Sequence, residues 1–188
     1  MALTYSQAPV LGSEAPDFHL RGTDGKFHGL SGFASDPAIQ ILIVAFICNH
    51  CPYVKAIRGR LQKVASQNSA RGVQMVGINS NDPVRYPDDN FEAMQREVIE
   101  HGYTFPYLQD ATQEVAKAYR AVCTPDFFVY AKREGKFLLE YAGRLDNSWK
   151  DESAVTHHEL QEAVDALLLG QKPNAKQQPS MGCSIKWK

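Results

Sequence analysis

Two kinds of apolar pattern alternate along this chain. In "APDFHLRGTDGKFHGLSGF" (15–33), apolar and polar residues alternate around Gly22-Thr23-Asp24-Gly25. This predicts a β-hairpin with a short loop. Ile39 to Ile47 is instead a continuous apolar, β-branched run, the mark of a strand buried on both faces. From Pro52 the period lengthens. Val54, Ile57, Leu61 and Val64 share one helical face, and Lys55, Arg58, Arg60 and Lys63 fall elsewhere, read as a wet face. Pro52 suits the first turn of this helix, and Gly72 marks its end.

Val73 to Asn81 predicts a second buried strand. "DPVRYPDD" (82–89) reads as a loop, and Asn90 caps a helix running to about Glu100. "EVAKAYRAV" is a short helix. "DFFVYAKREGKFLLEYAG" is a hairpin turning near Glu134-Gly135. Thr156 to Leu169 is an amphipathic helix with Leu160, Val164, Leu167 and Leu168 inward. Strand–helix–strand units closed by a hairpin and a helix imply an α/β sheet with helices on both faces. The organisation expected is one domain over residues 1–170 and a C-terminal tail, 171–188, without periodicity. Within that tail, Ile185 and Trp187 alternate with Lys186 and Lys188. This predicts an extended segment that packs back with Ile185 and Trp187 inward.

Composition narrows the function. The 188 residues are 44% hydrophobic and 22% charged, with a net charge of -1. A charge so near zero gives no field for nucleic acid or an anionic membrane surface, so neither is an expected partner. No apolar run reaches the ~20 residues that span a bilayer. "MALTYSQAPVLGSEAPDF" lacks the basic start and apolar core of a secretory signal, which favours the cytoplasm. Structural disulfides are rare there, so Cys48-x-x-Cys51 points to redox chemistry or metal instead of a disulfide framework.

Cys48 follows the buried strand and Cys51 opens the helix, where unpaired N–H groups and the positive end of the helix dipole converge. The expectation is a low-pKa nucleophile at Cys48, a resolving thiol at Cys51, and His50 as a second stabiliser of the thiolate. Two other readings stand beside it. The cysteines could be packing residues, or Cys48, His50, Cys51 and Cys183 could form a zinc set, although the second tight ligand pair of a structural site is missing and no metal is expected.

"APDFHLRGTDGKFHGL", "VAFICNHC", "VGINSND" and "CTPDFFVY" with its hairpin together resemble the thioredoxin-like superfamily. More narrowly, they resemble its redoxin branch, the alkyl hydroperoxide reductase / thiol-specific antioxidant (AhpC/TSA) type, over about Ala15 to Leu169. The resemblance implies a thioredoxin fold with an N-terminal β-hairpin extension and a central mixed sheet flanked by helices. It also implies a redox-active Cys48–Cys51 pair, a role in cell redox homeostasis, and no cofactor. Pro125 would be a cis residue in a loop, with Thr124, facing the dithiol and offering the preceding backbone to a substrate chain. The implied partners are a protein or small-molecule disulfide or thiol, and a reducing system of the thioredoxin or glutathione kind.

Three departures bear on the chemistry. Ile47 stands where thioredoxins carry Trp, and "ILIVAFI" holds no buried acid, so another group must accept the proton of the resolving step. The peroxidatic P-x-x-x-T-x-x-C is absent: counting back gives Ala45 and Ile41 from Cys48, and Cys48 and Val44 from Cys51. The leading expectation is therefore a thiol–disulfide oxidoreductase. A thiol peroxidase or antioxidant protein is one alternative, and a non-catalytic metal-binding or redox-sensing module is the other. Cys123, beside Thr124, and Cys183 are candidate third thiols. The 14 steps from Leu169 to Cys183 reach up to ~46 Å, enough to fold back over the dithiol.

Overall fold

The run predicted to be doubly buried is the middle of the sheet. The computed structural model describes residues 3–7 and 9–188. In chain order the elements are β1 (Leu3–Tyr5), β2 (His19–Gly22), β3 (Phe27–Gly29), α1 (Leu30–Ser35), β4 (Ile41–Phe46), α2 (Pro52–Ser69), β5 (Val73–Asn79), α3 (Phe91–His101), β6 (Tyr107–Gln109), α4 (Glu114–Tyr119), β7 (Cys123–Thr124), β8 (Asp126–Arg133), β9 (Lys136–Gly143), α5 (Glu159–Leu168) and β10 (Met181–Ser184). Seven strands form one sheet in the order β3-β2-β6-β5-β4-β8-β9. β4, β5 and β6 run parallel, and the outer pairs are antiparallel, so the sheet is mixed.

Each residue of β4 is buried, and the pleat sends alternate side chains to opposite faces. Ile41, Ile43, Ala45 and Ile47 join a core with α2, α5 and Met94 of α3. Leu42, Val44 and Phe46 join a second core with Tyr119 of α4, Phe18, Phe128 and Ile185. The helical assignments rest on visible local chemistry. Asn90 accepts a hydrogen bond from the Ala93 N–H at 2.8 Å, capping α3. Glu134 and Gly135 take the left-handed backbone of the β8–β9 turn.

Several elements escaped the sequence pattern. The end of the first hairpin segment turns into α1. β6 is three residues long, too short to show a period, yet it bridges the parallel centre to the N-terminal hairpin. The basic residues of α2 do not form one wet face. Arg60 is buried in an ion pair with Asp146, and Arg58 pairs with Glu97 at 2.5 Å.

The C-terminal segment is built into the molecule. β10 is the middle strand of a second, three-stranded sheet, ordered β1-β10-β7. Ile185 is buried, as the alternation predicts, and its N–H donates to Val122 O at 2.9 Å. Trp187 corrects the other half of that expectation. It remains 37% exposed, because the strand ends at Ser184 and the ring lies on the surface below Lys117, whose Nζ is 5.9 Å from its centroid.

Beneath this small sheet lies Asp126, 1% exposed. No well-formed hydrogen bond reaches either carboxylate oxygen, although the Ser180 and Ser6 hydroxyls and the Phe127 N–H lie within electrostatic reach. Burial raises its pKa to about 7, from an ordinary 3.8, against the weaker pull of those groups. An acid shifted upward costs the fold nothing while it is protonated in both states, and its cost grows as pH rises from about 4 to 7. Asp126→Asn should therefore stabilise the protein at pH ~8 by up to about 4 kcal/mol and change little at pH ~4. Urea unfolding at the two pH values is the check, and equal effects at both would mean that the carboxylate carries no such cost.

Candidate active site

The cysteine loop, 47–51, leaves the C-terminal end of β4. The loop of residues 80–90 leaves the same end of the neighbouring parallel strand β5. Adjacent parallel strands that send their loops out together make a cleft. Here the second loop fixes the first. Asp89 is 1% exposed. One of its oxygens accepts from the Asn49 N–H at 2.8 Å, the other from Asn81 Nδ2 at 2.7 Å, and His50 Nδ1 stands 2.5 Å away. The His50 ring stacks on Tyr86 of the same loop, 5.6 Å between centroids. Burial raises the Asp89 pKa, but His50, Asn81 and Asn49 outweigh it and hold the carboxyl below its usual range. In turn the Asp89 hydrogen bond raises the pKa of His50, against burial, and favours imidazolium.

The Thr124–Pro125 peptide is cis and its loop faces the cysteines. Thr124 O is 3.1 Å from Cys51 Sγ, and Thr124 Oγ1 is 3.3 Å from Cys48 Sγ. From the other side, β10 places Cys183 Sγ 3.0 Å from Cys51 Sγ. Cys48, Cys51 and Cys183 are all 2% exposed or less. Cys123 is also buried. Its Sγ is 3.7 Å from Pro125 O, and burial together with Asp126 pushes its pKa well up, so it keeps its proton.

Of the two neighbouring thiols it is Cys51 whose pKa is lowered, whereas the sequence led to the expectation of a low-pKa Cys48. Cys51 is the N-cap of α2, and Pro52 occupies the first helical position, where a missing N–H costs nothing. Ionised, its sulfur would be stabilised by the Cys48 thiol, the Cys183 thiol and the N–H groups of Val54 and Cys183. The Cys48 contact is the largest influence, and together these donors overcome burial and lower Cys51 to about 5. Protonated, Cys51 can donate to Thr124 O; as a thiolate it gives up that one bond for several donors. Cys48 lies before the cap, out of line with the helix N–H groups. Burial raises its pKa first, then the neighbouring Cys51 and the Asp89 charge, and the Thr124 hydroxyl only partly offsets them. The two sulfurs ionise as a pair, with Cys51 the more acidic side.

His50 feels the Cys51 charge, so it remains a stabiliser, but of the second cysteine. Ultraviolet thiolate absorbance should titrate near pH 5 in the wild type and move upward in His50→Ala. Absorbance lost in Cys48→Ser but kept in Cys51→Ser would reverse the assignment.

The zinc set read from the sequence does not gather as one. Cys48 Sγ, a ring nitrogen of His50 and an Asp89 oxygen lie within 4.8 Å of one another, whereas Cys183 stands against Cys51. Asp89 was missed because nothing in a polar loop tells one aspartate from the next. The available signal was the position of "SNDPVRYPDD" at the same sheet end as the cysteines.

Beside the cis-proline, Ile57, Phe127, Leu145, Trp149 and Met181 surround an apolar cavity of about 60 Å³. Its Trp149 wall packs on Tyr53, 4.2 Å between centroids, and is tied down by Arg60, which donates to Ser148 O and Trp149 O at 2.9 and 2.8 Å.

The comparisons with known proteins fit this geometry. The profile of the AhpC/TSA family matches residues 11–138. This chain belongs to the AhpC/TSA family. Two solved structures are 43% identical to it. An uncharacterized conserved protein from Geobacillus kaustophilus superposes with a TM-score of 0.92, covering 100% of this chain and 97% of its own. A hypothetical protein from Sinorhizobium meliloti 1021 superposes with a TM-score of 0.90, covering 98% of each. The thioredoxin domain of a thiol-disulfide oxidoreductase from Bacteroides vulgatus shares 19% identity, with a TM-score of 0.57 over 72% of this chain and 91% of its own; the likeness is one of fold. No curated protein matches. The AhpC/TSA chain is thus a thioredoxin-like α/β protein with its mixed sheet flanked by helices, as the sequence implied. Among the described residues, no helix is long and apolar enough to cross a membrane.

Proposed function

We propose that this AhpC/TSA protein is a thiol–disulfide oxidoreductase working through Cys51 and Cys48, with Cys51 as the attacking group. The observation that carries the reading is the placement of Cys51 at the start of α2, its sulfur 3.1 Å from Thr124 O of the cis-proline loop and 3.0 Å from Cys183 Sγ, with Cys48 held against the same threonine. Cys51 thiolate attacks a disulfide R–S–S–R′; the Cys51–S–R bond forms and R′S⁻ leaves. Cys48 then attacks Cys51, its proton goes to the departing RS⁻, and a Cys48–Cys51 disulfide remains. The substrate has gained two electrons, which an external thiol of the thioredoxin or glutathione kind restores to the protein. The attacking and resolving roles are thus the reverse of those expected from the motif alone. The Asp89–His50 pair at the mouth of the loop favours imidazolium and so supplies a positive charge beside the cysteines. Reduced thiols suit a cytoplasmic setting.

Burial favours a second reading. A thiolate with no exposed surface is more easily met by a small hydroperoxide than by a protein chain. In a thiol peroxidase, Cys51 would take the terminal oxygen and become a sulfenic acid. The two readings separate in paired assays with dithiothreitol as reductant, one following insulin and oxidised glutathione, the other hydrogen peroxide. Disulfide reduction dominant over peroxide consumption is expected; the opposite ranking would establish the peroxidase. Stoichiometric zinc in freshly purified protein would instead support a metal-binding module.

A further inference from the structure

The strand that carries Cys183 occupies the position an extended peptide would take beside the cis-proline loop. β10 runs antiparallel to Cys123–Thr124, with Cys183 opposite Thr124. The fit is built into the sequence. A Cβ on Gly182 would lie 2.0 Å from Thr124 O, so only glycine allows the approach. Ser180 Oγ donates to Gly143 O at 2.6 Å, and the Lys186 N–H donates to Asn81 Oδ1 at 2.8 Å. These contacts clamp both ends of the strand and hold the Cys183 sulfur in contact with Cys51.

We propose that Cys183 is the first resolving thiol of this centre and that its substrate is a low-molecular-weight disulfide. The proposal rests on Cys51 as the attacking group. After Cys51 has taken up half of a small disulfide, Cys183 attacks Cys51 Sγ. The Cys51–Cys183 bond forms, the Cys51–S–R bond breaks, and RS⁻ leaves with the proton that Cys183 gives up. The small disulfide gains two electrons and the two cysteines lose them. Attack by Cys48 on Cys51 then forms the Cys48–Cys51 disulfide and returns the thiol to Cys183.

The ionisation of the site suits this order. Burial and the Cys51 charge push Cys183 up to about 12, so it stays protonated while Cys51 is the nucleophile. Once Cys51 is bound in a mixed disulfide that charge is gone, and Lys186 favours the Cys183 thiolate. The substrate class follows from the occupied edge. A protein substrate that binds by adding a strand needs the backbone of Cys123–Thr124, which β10 already pairs.

The test uses the full chain with oxidised glutathione, quenched at intervals with N-ethylmaleimide and mapped by mass spectrometry of unreduced peptides with fragmentation. In the wild type the Cys51–Cys183 linkage should appear before the Cys48–Cys51 linkage. In Cys183→Ser the Cys51–glutathione adduct should persist on the order of tenfold longer, since the thiol held 3.0 Å from Cys51 Sγ is gone. Gly182→Val crowds the Thr124 carbonyl without touching a thiol and should prolong the adduct likewise. A Cys48–Cys51 linkage that forms first in the wild type, with an unchanged adduct lifetime in Cys183→Ser, would overturn the proposal. The wild-type time course decides even if a variant folds poorly. A glutathione adduct on Cys48, or on neither cysteine, would instead remove the Cys51 reading and the proposal with it.

Discussion

Cys51→Ser should lose disulfide-reducing turnover by about 10³-fold or more, the scale seen when a nucleophile is removed. Cys48→Ser should keep the first half-reaction, the rapid release of one thiol from a small disulfide. The asymmetry follows from which sulfur caps α2. Serine is a favoured residue at an N-cap, so the start of α2 should survive while the reactive thiolate is gone. A serine at position 48 keeps a donor near Cys51 and leaves the Val54 and Cys183 donors in place. Single-turnover release of a chromogenic thiol in the two variants is the measurement. Full release by Cys51→Ser together with none by Cys48→Ser would restore Cys48 as the attacking group.

Arg60→Met should cost about 3–5 kcal/mol of stability, the usual result of stripping one partner from a buried ion pair. Arg60 and Asp146 are 8% and 2% exposed, and removing the guanidinium leaves the Asp146 carboxylate without its countercharge. It also frees the carbonyls of Ser148 and Trp149, which accept from Arg60. The double variant Arg60→Met/Asp146→Leu should recover most of the loss, because an apolar pair of similar volume carries no desolvation cost. Urea unfolding of the two single variants and the double variant gives the coupling. A loss below about 1 kcal/mol in Arg60→Met would mean that water reaches Asp146 and the pair behaves as a surface bridge.

What the sequence disclosed depended on how far its signals reach along the chain. The doubly buried β4, the long α2, the Asn90 cap and the Glu134-Gly135 turn are written in neighbouring residues, and each lies where the pattern put it. The family resemblance supplied the cis-proline loop, which no local pattern could. Long-range features were hidden. Arg60 looked like a solvated base, because its partner Asp146 lies on a distant loop. Asp89 reaches the cysteines from a polar loop and was one of these; Cys183, by contrast, was a candidate third thiol in the sequence and does lie against Cys51. The choice between Cys48 and Cys51 turned on a single residue of register. The sequence shows that a helix begins after the pair, but the charge goes to the residue that caps it, and Pro52 at the first helical position was the clue.

The pairing of Leu3 with Cys183 has a consequence for biosynthesis. Strand β4 can pair with β5 early, and the β8–β9 hairpin is local, but the central β4–β8 pair joins Ile41 to Ala131 and so waits until β8 has left the ribosome. The small sheet must wait for residues 181–184. Until then a nascent chain holds Cys51 without the Cys183 donors and with the edge at Cys123–Thr124 open to any passing strand. The cysteine cluster is thus completed last, and a chain stalled short of β10 would leave Cys51 beside an unguarded sheet edge.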